Sequence, residues 1–118
     1  MGLLDFFSVE LAVDLGTATT VIIHNDRIVV EEPSIVAYDT RSNKYIAIGH
    51  KASQMHGKVH VNIQTKRPIR DGVLTDIGAG EYMIREFIKM AIGKKLIRPS
   101  VTAYIGIPSN TTEVEKRA

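Results

Sequence analysis

Residues 9–15, Val-Glu-Leu-Ala-Val-Asp-Leu, alternate apolar and polar positions with a period of two, the pattern of a strand with one buried face. Gly16-Thr17-Ala18 reads as a turn. Residues 19–24, Thr-Thr-Val-Ile-Ile-His, are strongly β-branched and read as the return strand. Asn25-Asp26 forms a second turn and Arg27–Val30 a third strand, which completes an antiparallel meander. Pro33 opens a different region. Ser34–Tyr38 and Lys44–Ile48 read as strands around the polar turn Asp39–Asn43, and Lys51–His56 as a short helix ended by Gly57. Val61–Thr65 reads as a further strand and Pro68–Gly72 as a connector.

The helix over residues 79–92 has the clearest periodicity. Met83, Ile84, Phe87, Ile88 and Ala91 recur on one face, while Glu81, Arg85, Glu86 and Lys89 lie elsewhere. Asp76 is placed to cap it and Gly93 to close it. Thr102–Ile107 reads as a buried strand ended by Pro108. Asn110 and Glu113 then have the spacing of a capping box, and the helix they open stops at Ala118 after about two turns. A helix that short is marginal alone, so the sequence is expected to be a fragment of a longer chain. The order βββ, mixed insert, α, β, α predicts an α/β domain with a mixed sheet.

Composition narrows the function classes. The chain has 118 residues, 44% of them hydrophobic and 24% charged, which excludes a wholly disordered polypeptide. Cysteine is absent, so disulfides, thiolate zinc sites and cysteine nucleophiles are excluded. No apolar run approaches the ~18 residues that would span a bilayer. The net charge is +2, and the basic groupings Lys66-Arg67 and Lys94-Lys95 are short. Nucleic-acid binding wants a basic face with interleaved aromatics. Only four Tyr and three Phe exist, with Phe6, Phe7 and Phe87 in apolar settings, so no nucleic-acid partner is expected. At the N-terminus, Leu3, Leu4, Phe6 and Phe7 lack a preceding basic region and a following cleavage site, so a signal peptide is not indicated. Phe6 also stands where a myristoylation pattern wants Ser or Thr. These four side chains either pack on the domain or contact a membrane surface.

Most chemistry gathers at Asp14-Leu15-Gly16-Thr17-Ala18-Thr19. A carboxylate at a strand end can reach a hydrated Mg²⁺, which keeps its waters. Gly16 lets backbone approach a ligand, and the amides of Gly16, Thr17 and Ala18 could form an anion-binding nest. Thr17 and Thr19 add hydroxyl donors. The alternative is an ordinary hairpin, where Asp and Gly are favoured anyway. Other phosphate signatures fail: no G-x-x-x-x-G-K-[ST] occurs, and Gly78-Ala79-Gly80 begins a dinucleotide pattern that lacks its third glycine. His56 and His60 have a helical metal-ligand spacing, but Gly57 lies between them. Asn110-Thr111-Thr112 matches a glycosylation sequon that has no secretion signal to support it.

The meander with Asp14–Ala18 at its first turn resembles the first phosphate loop of the actin and sugar-kinase ATPases. Further blocks are similar to MreB, the bacterial actin homologue: Glu32-Pro33-Ser34-Ile35-Val36-Ala37, Ile48-Gly49-His50-Lys51-Ala52, Arg67-Pro68-Ile69-Arg70-Asp71-Gly72-Val73, and Ile107-Pro108-Ser109 with Thr112–Ala118. They keep the family's order and spacing along essentially the whole chain. The resemblance implies a partial actin/sugar-kinase (ribonuclease H-like) fold. Residues 9–32 and 69–118 would be the first part of subdomain IA, residues 33–68 the small subdomain IB, and residues 1–8 an apolar segment with possible membrane contact through Leu3, Leu4, Phe6 and Phe7.

It also implies ATP and Mg²⁺ as cofactors. Asp14 would sit near the metal through water, and Gly16, Thr17 and Ala18 would contact phosphate. Thr19 stands where the family usually has Asn, so that contact is either made by a hydroxyl or lost. Gly78 stands where a polar residue is usual, which leaves the cap of the following helix open. The family forms ATP-dependent filaments at the inner face of the cytoplasmic membrane, organises peptidoglycan synthesis, and partners MreC, MreD, RodZ and the elongation synthases. The second phosphate loop and the catalytic carboxylate would lie beyond Ala118, so this chain alone is expected to be inactive as an ATPase. Another superfamily ATPase or sugar kinase, and a non-enzymatic membrane- or partner-binding module, remain the alternatives.

Overall fold

The computed structural model describes residues 8–56, 62–93 and 100–106. The predicted meander is present as β1 (Ser8–Leu15), β2 (Thr19–His24) and β3 (Arg27–Pro33). A strand late in the chain, Ser100–Gly106, joins it parallel to β1, so that Asp14 lies beside Gly106. With the strands numbered in chain order this is β9, and the sheet runs β3-β2-β1-β9, the mixed sheet expected. Asn25 and Asp26 both take positive φ, the geometry of a two-residue hairpin that matches strand twist.

A second sheet has the order β5-β4-β6, from β4 (Val36–Asp39), β5 (Lys44–Ile48) and β6 (Ile63–Lys66), all antiparallel. Helix α1 (Gly49–Met55) packs on it. The supposed connector at Pro68–Gly72 is instead part of a small hairpin, β7 (Ile69–Arg70) and β8 (Val73–Leu74). Asp71 and Gly72 form its turn, both at positive φ. Helix α2 (Ile77–Ile92) starts two residues earlier than its periodicity suggests. Asp76 caps it: its Oδ1 accepts the Ala79 N–H at 3.0 Å. Gly93 ends it at φ 75°.

Several strand boundaries also shift, among them β6, which ends at Lys66 rather than Thr65. β3 continues past Val30 to Pro33, β4 begins at Val36 rather than Ser34, and β9 begins at Ser100 rather than Thr102. A proline in β3 is tolerated because β3 is an edge strand, where one missing N–H breaks no inner ladder. The readings at Leu3, Leu4, Phe6 and Phe7, at Gly57 and His60, and at the Asn110 capping box lie outside the described residues.

Two apolar cores result. Leu11, Val13 and Leu15 of β1, Ile22 of β2, Val30 of β3 and Val36 of β4 meet Ala79, Met83 and Phe87 of α2, with Tyr45 and Ile48 of β5 packed against them. Ile35, Ala37 and Ala47 meet Ala52 of α1. The alternation that buries Leu11, Val13 and Leu15 leaves Glu10, Ala12 and Asp14 exposed on the opposite face of the first sheet.

Candidate functional site

The β1–β2 connection is a three-residue loop, Gly16-Thr17-Ala18, closed by a 3.0 Å bond from the Gly16 N–H to the Thr19 carbonyl. A side chain at Gly16 would run into that carbonyl, so glycine is set here by close backbone approach. The same bond commits the Gly16 amide. The anion nest read from sequence therefore narrows to the amides of Thr17 and Ala18, which no backbone partner engages among the described residues.

Three further contacts hold the loop from outside it. The Ala18 carbonyl accepts the Ser34 N–H at 2.9 Å. The Thr17 hydroxyl accepts the Gly72 N–H at 3.1 Å, across 55 residues of sequence. Below the loop, the hydroxyls of Thr20 and Ser34 lie 2.7 Å apart, and both residues are fully buried. A hydroxyl that accepts from Gly72 still has its own proton to donate, so Thr17 can serve an anion while staying fixed. Thr20, Ser34 and Gly72 are positioning residues that motif reasoning did not single out. The signal for Ser34 and Gly72 lay inside the Glu32-Pro33-Ser34 and Arg70-Asp71-Gly72 blocks, and Thr20 had none beyond its strand.

Asp14 is exposed at the end of β1. Its neighbours across the sheet are Val21 and Gly106. Gly106 leaves room beside Asp14, since among the described residues an added Cβ there would meet nothing nearer than the Val13 carbonyl at 4.0 Å. Thr19 is exposed and lies two residues before Val21 on β2, so Asp14 and Thr19 share one face of the sheet. Gly16, Thr17 and Ala18 form the rim between them. The structure thus places all five predicted residues at one end of the two central strands. Among the described residues no three His, Asp or Glu side chains converge. One carboxylate with nearby hydroxyls fits a hydrated Mg²⁺ held through water rather than a direct protein cage.

His56 does not join this site; its Nδ1 lies 2.6 Å from the Thr65 hydroxyl. Glu32, adjacent to Pro33, serves structure: its Oε1 accepts the His50 N–H at 2.9 Å and so holds the first turn of α1. Gly49 opens that turn at φ 62°, and a Cβ there would strike the Glu32 carboxylate.

The sequence profile of the MreB/Mbl protein family matches residues 8–118. The cell shape-determining protein MreB of Escherichia coli (strain K12) is 41% identical over 117 residues, an alignment covering 95% of this chain and 34% of that protein. MreB 5 of Spiroplasma citri bound to AMPPNP superposes with a TM-score of 0.68 at 30% identity, covering 90% of this chain and 32% of that one. The MamK double helical filament superposes at 0.69 with 22% identity over 92% of this chain and 35% of that one, a likeness of fold alone. The chain spans about a third of the length of these relatives. The fold is a partial actin-like one.

Proposed function

Because the chain belongs to the MreB/Mbl family, we propose that it carries one half of the phosphate clamp of a cell-shape-determining bacterial actin. The intact protein would form ATP-dependent filaments with copies of itself at the inner face of the cytoplasmic membrane and organise peptidoglycan synthesis there, with MreC, MreD, RodZ and the elongation synthases as partners. In this reading residues 9–32 and 69–118 form the first part of subdomain IA and residues 33–68 form subdomain IB. Leu3, Leu4, Phe6 and Phe7 would be the membrane contact. No helix among the described residues is long and apolar enough to cross a membrane.

One observation carries the nucleotide reading. The Gly16–Ala18 loop is fixed from three directions, yet leaves the Thr17 and Ala18 amides open beside the exposed Asp14. Preorganised donors of this kind suit phosphate oxygens, because no reorganisation is needed when the anion arrives. Thr17 would donate its hydroxyl proton, held in direction by Gly72. Thr19 would offer a second hydroxyl from the same face as Asp14, and Asp14 would hold water of a Mg²⁺. The metal would neutralise phosphate charge. AMPPNP in the Spiroplasma citri relative supports a nucleotide as the ligand class.

The test is amide NMR on the 118-residue chain titrated with Mg·AMPPNP. Weak, millimolar-range shifts centred on Thr17 and Ala18 are expected, reduced by Asp14→Ala, with no ATP hydrolysis. Shifts that bypass the loop, or low-micromolar affinity for the chain alone, would overturn the proposal.

A further inference from the structure

Strands β2 and β3 pair antiparallel from His24 opposite Arg27 to Thr19 opposite Pro33, so Ala18 and Ser34 are the next residues to face each other. Half of that next rung exists. The Ser34 N–H reaches the Ala18 carbonyl at 2.9 Å, but no bond runs back from the Ala18 N–H to the Ser34 carbonyl. A bonded pair in an antiparallel ladder normally exchanges both. Rungs alternate between bonded and unbonded pairs, so Thr19 and Pro33 form an unbonded one, where the proline's missing N–H breaks nothing.

Two features account for the missing half. The chain bends at Ser34, where the Ile35 N–H bonds back to the Pro33 carbonyl at 2.9 Å in a three-residue turn. The bend takes the Ser34 carbonyl out of the ladder. The Ser34 hydroxyl meanwhile lies 2.7 Å from that of Thr20. The direct partner of Thr20 is Glu32, so Ser34 is its diagonal neighbour. Diagonal positions in a regular ladder stand about 7 Å apart, too far for two such short side chains to meet. The hydroxyl bond therefore exists only while the chain stays bent. Both residues are fully buried, so no water competes for it.

Deepening the phosphate reading, on which this rests, we propose that Ser34 and Thr20 are positioning residues for the Ala18 amide. Their hydroxyl pair holds the β2–β3 ladder half a rung short and so keeps one N–H donor free for an anion. Without the pair, Ser34 relaxes into the ladder and its carbonyl takes the Ala18 N–H. The donor is then consumed inside the sheet, although no residue that touches the anion has changed. Thr17 keeps its own donors, because Gly72 holds it independently. The loss falls on one of two adjacent amides, which a general loosening of the loop would not produce.

Amide exchange by NMR on the 118-residue chain tests the open half-rung without a ligand. The Ala18 amide should exchange about ten-fold faster, or more, than that of Gly16, which is bonded to the Thr19 carbonyl. Equal protection of the two overturns the proposal. Thr20→Val with Ser34→Ala removes both hydroxyls and leaves neither oxygen unpaired. In that double variant Ala18 exchange should slow about ten-fold and most of the Mg·AMPPNP shift at Ala18 should vanish, while Thr17 keeps its exchange rate and its shift. Thr20→Ser retains the hydroxyl and should behave as the unsubstituted chain does. Unchanged Ala18 exchange in the double variant, or parallel losses at Thr17 and Ala18, overturns the proposal. Slowed Ala18 exchange in the double variant, with no AMPPNP shift anywhere in the unsubstituted chain, would sink the nucleotide reading and support the half-rung.

Discussion

Thr20 and Ser34 form a closed hydroxyl pair with no route to water, 2.7 Å apart and both fully buried beneath the Gly16–Ala18 loop. Thr20→Val keeps the shape of the side chain but strands the Ser34 oxygen. An unpaired buried hydroxyl costs ~1–3 kcal/mol, so a loss of ~2 kcal/mol is expected, or a fall of roughly 8 °C in Tm at ~4 °C per kcal/mol for a chain of this size. Ser34→Ala strands the Thr20 hydroxyl at a similar cost. The double variant leaves neither oxygen behind, and removing both partners of a bond is nearly neutral, so it should lose only ~1 kcal/mol. Independent sites would instead sum to ~4 kcal/mol, a gap of ~3 kcal/mol that urea unfolding resolves easily. Circular dichroism melts of the four proteins complete the cycle. Additive losses would refute the reasoning, because they would mean that each hydroxyl has another partner.

Gly16→Ala should destabilise by ~2–4 kcal/mol, from a lost turn bond plus local backbone strain, and should shift the Thr17 and Ala18 amide signals; a loss below ~0.5 kcal/mol in urea would contradict the close approach. Phe87→Ala, at a fully buried site, should cost ~3–5 kcal/mol by the same assay, and a smaller loss would mean that the core refills. Burial, and then the Glu86 carboxylate, raises the Tyr82 phenol above its ordinary 10.0. The unfolded chain therefore releases that proton first, so stability is full below pH ~10 and falls as pH climbs past it. Tyr82→Phe should flatten the decline in Tm between pH ~9 and ~11 relative to the unsubstituted chain, and parallel declines would refute the shift. Flotation with anionic liposomes should be lost when residues 1–7 are removed, and unchanged flotation would sink their proposed membrane role.

The meander and α2 were legible because their patterns repeat over enough residues to rise above local noise. The Asp71-Gly72 hairpin was not, although Asp-Gly is a strong turn pair: strands of two residues carry no period, and Pro68 beside them argues for a connector. Gly78 hid the start of α2 because glycine is a poor helix former. At Gly80 the Leu74 side chain fills the space a Cβ would take, so a larger residue there would have to push Leu74 aside. The α1 boundary depends on Glu32, a carboxylate eighteen residues away, which no local window contains. At the site, the residue types were readable from Asp14 to Thr19. The use of the Gly16 amide inside its own turn, and the grip of Ser34 and Gly72, were not, because they are tertiary contacts.

Val36 and Lys66 are direct cross-strand partners, about 5 Å apart at the start of β4 and the end of β6. The segment between them thus begins and ends side by side, just after β3 and just before the β7–β8 hairpin. Everything between those two residues is a closed excursion, a module whose length is free to vary without altering the separation of its ends. Evolution, or an engineer, can therefore enlarge, trim or exchange the tip at residues 40–43, while the strands that shape the loop at Gly16 keep their register.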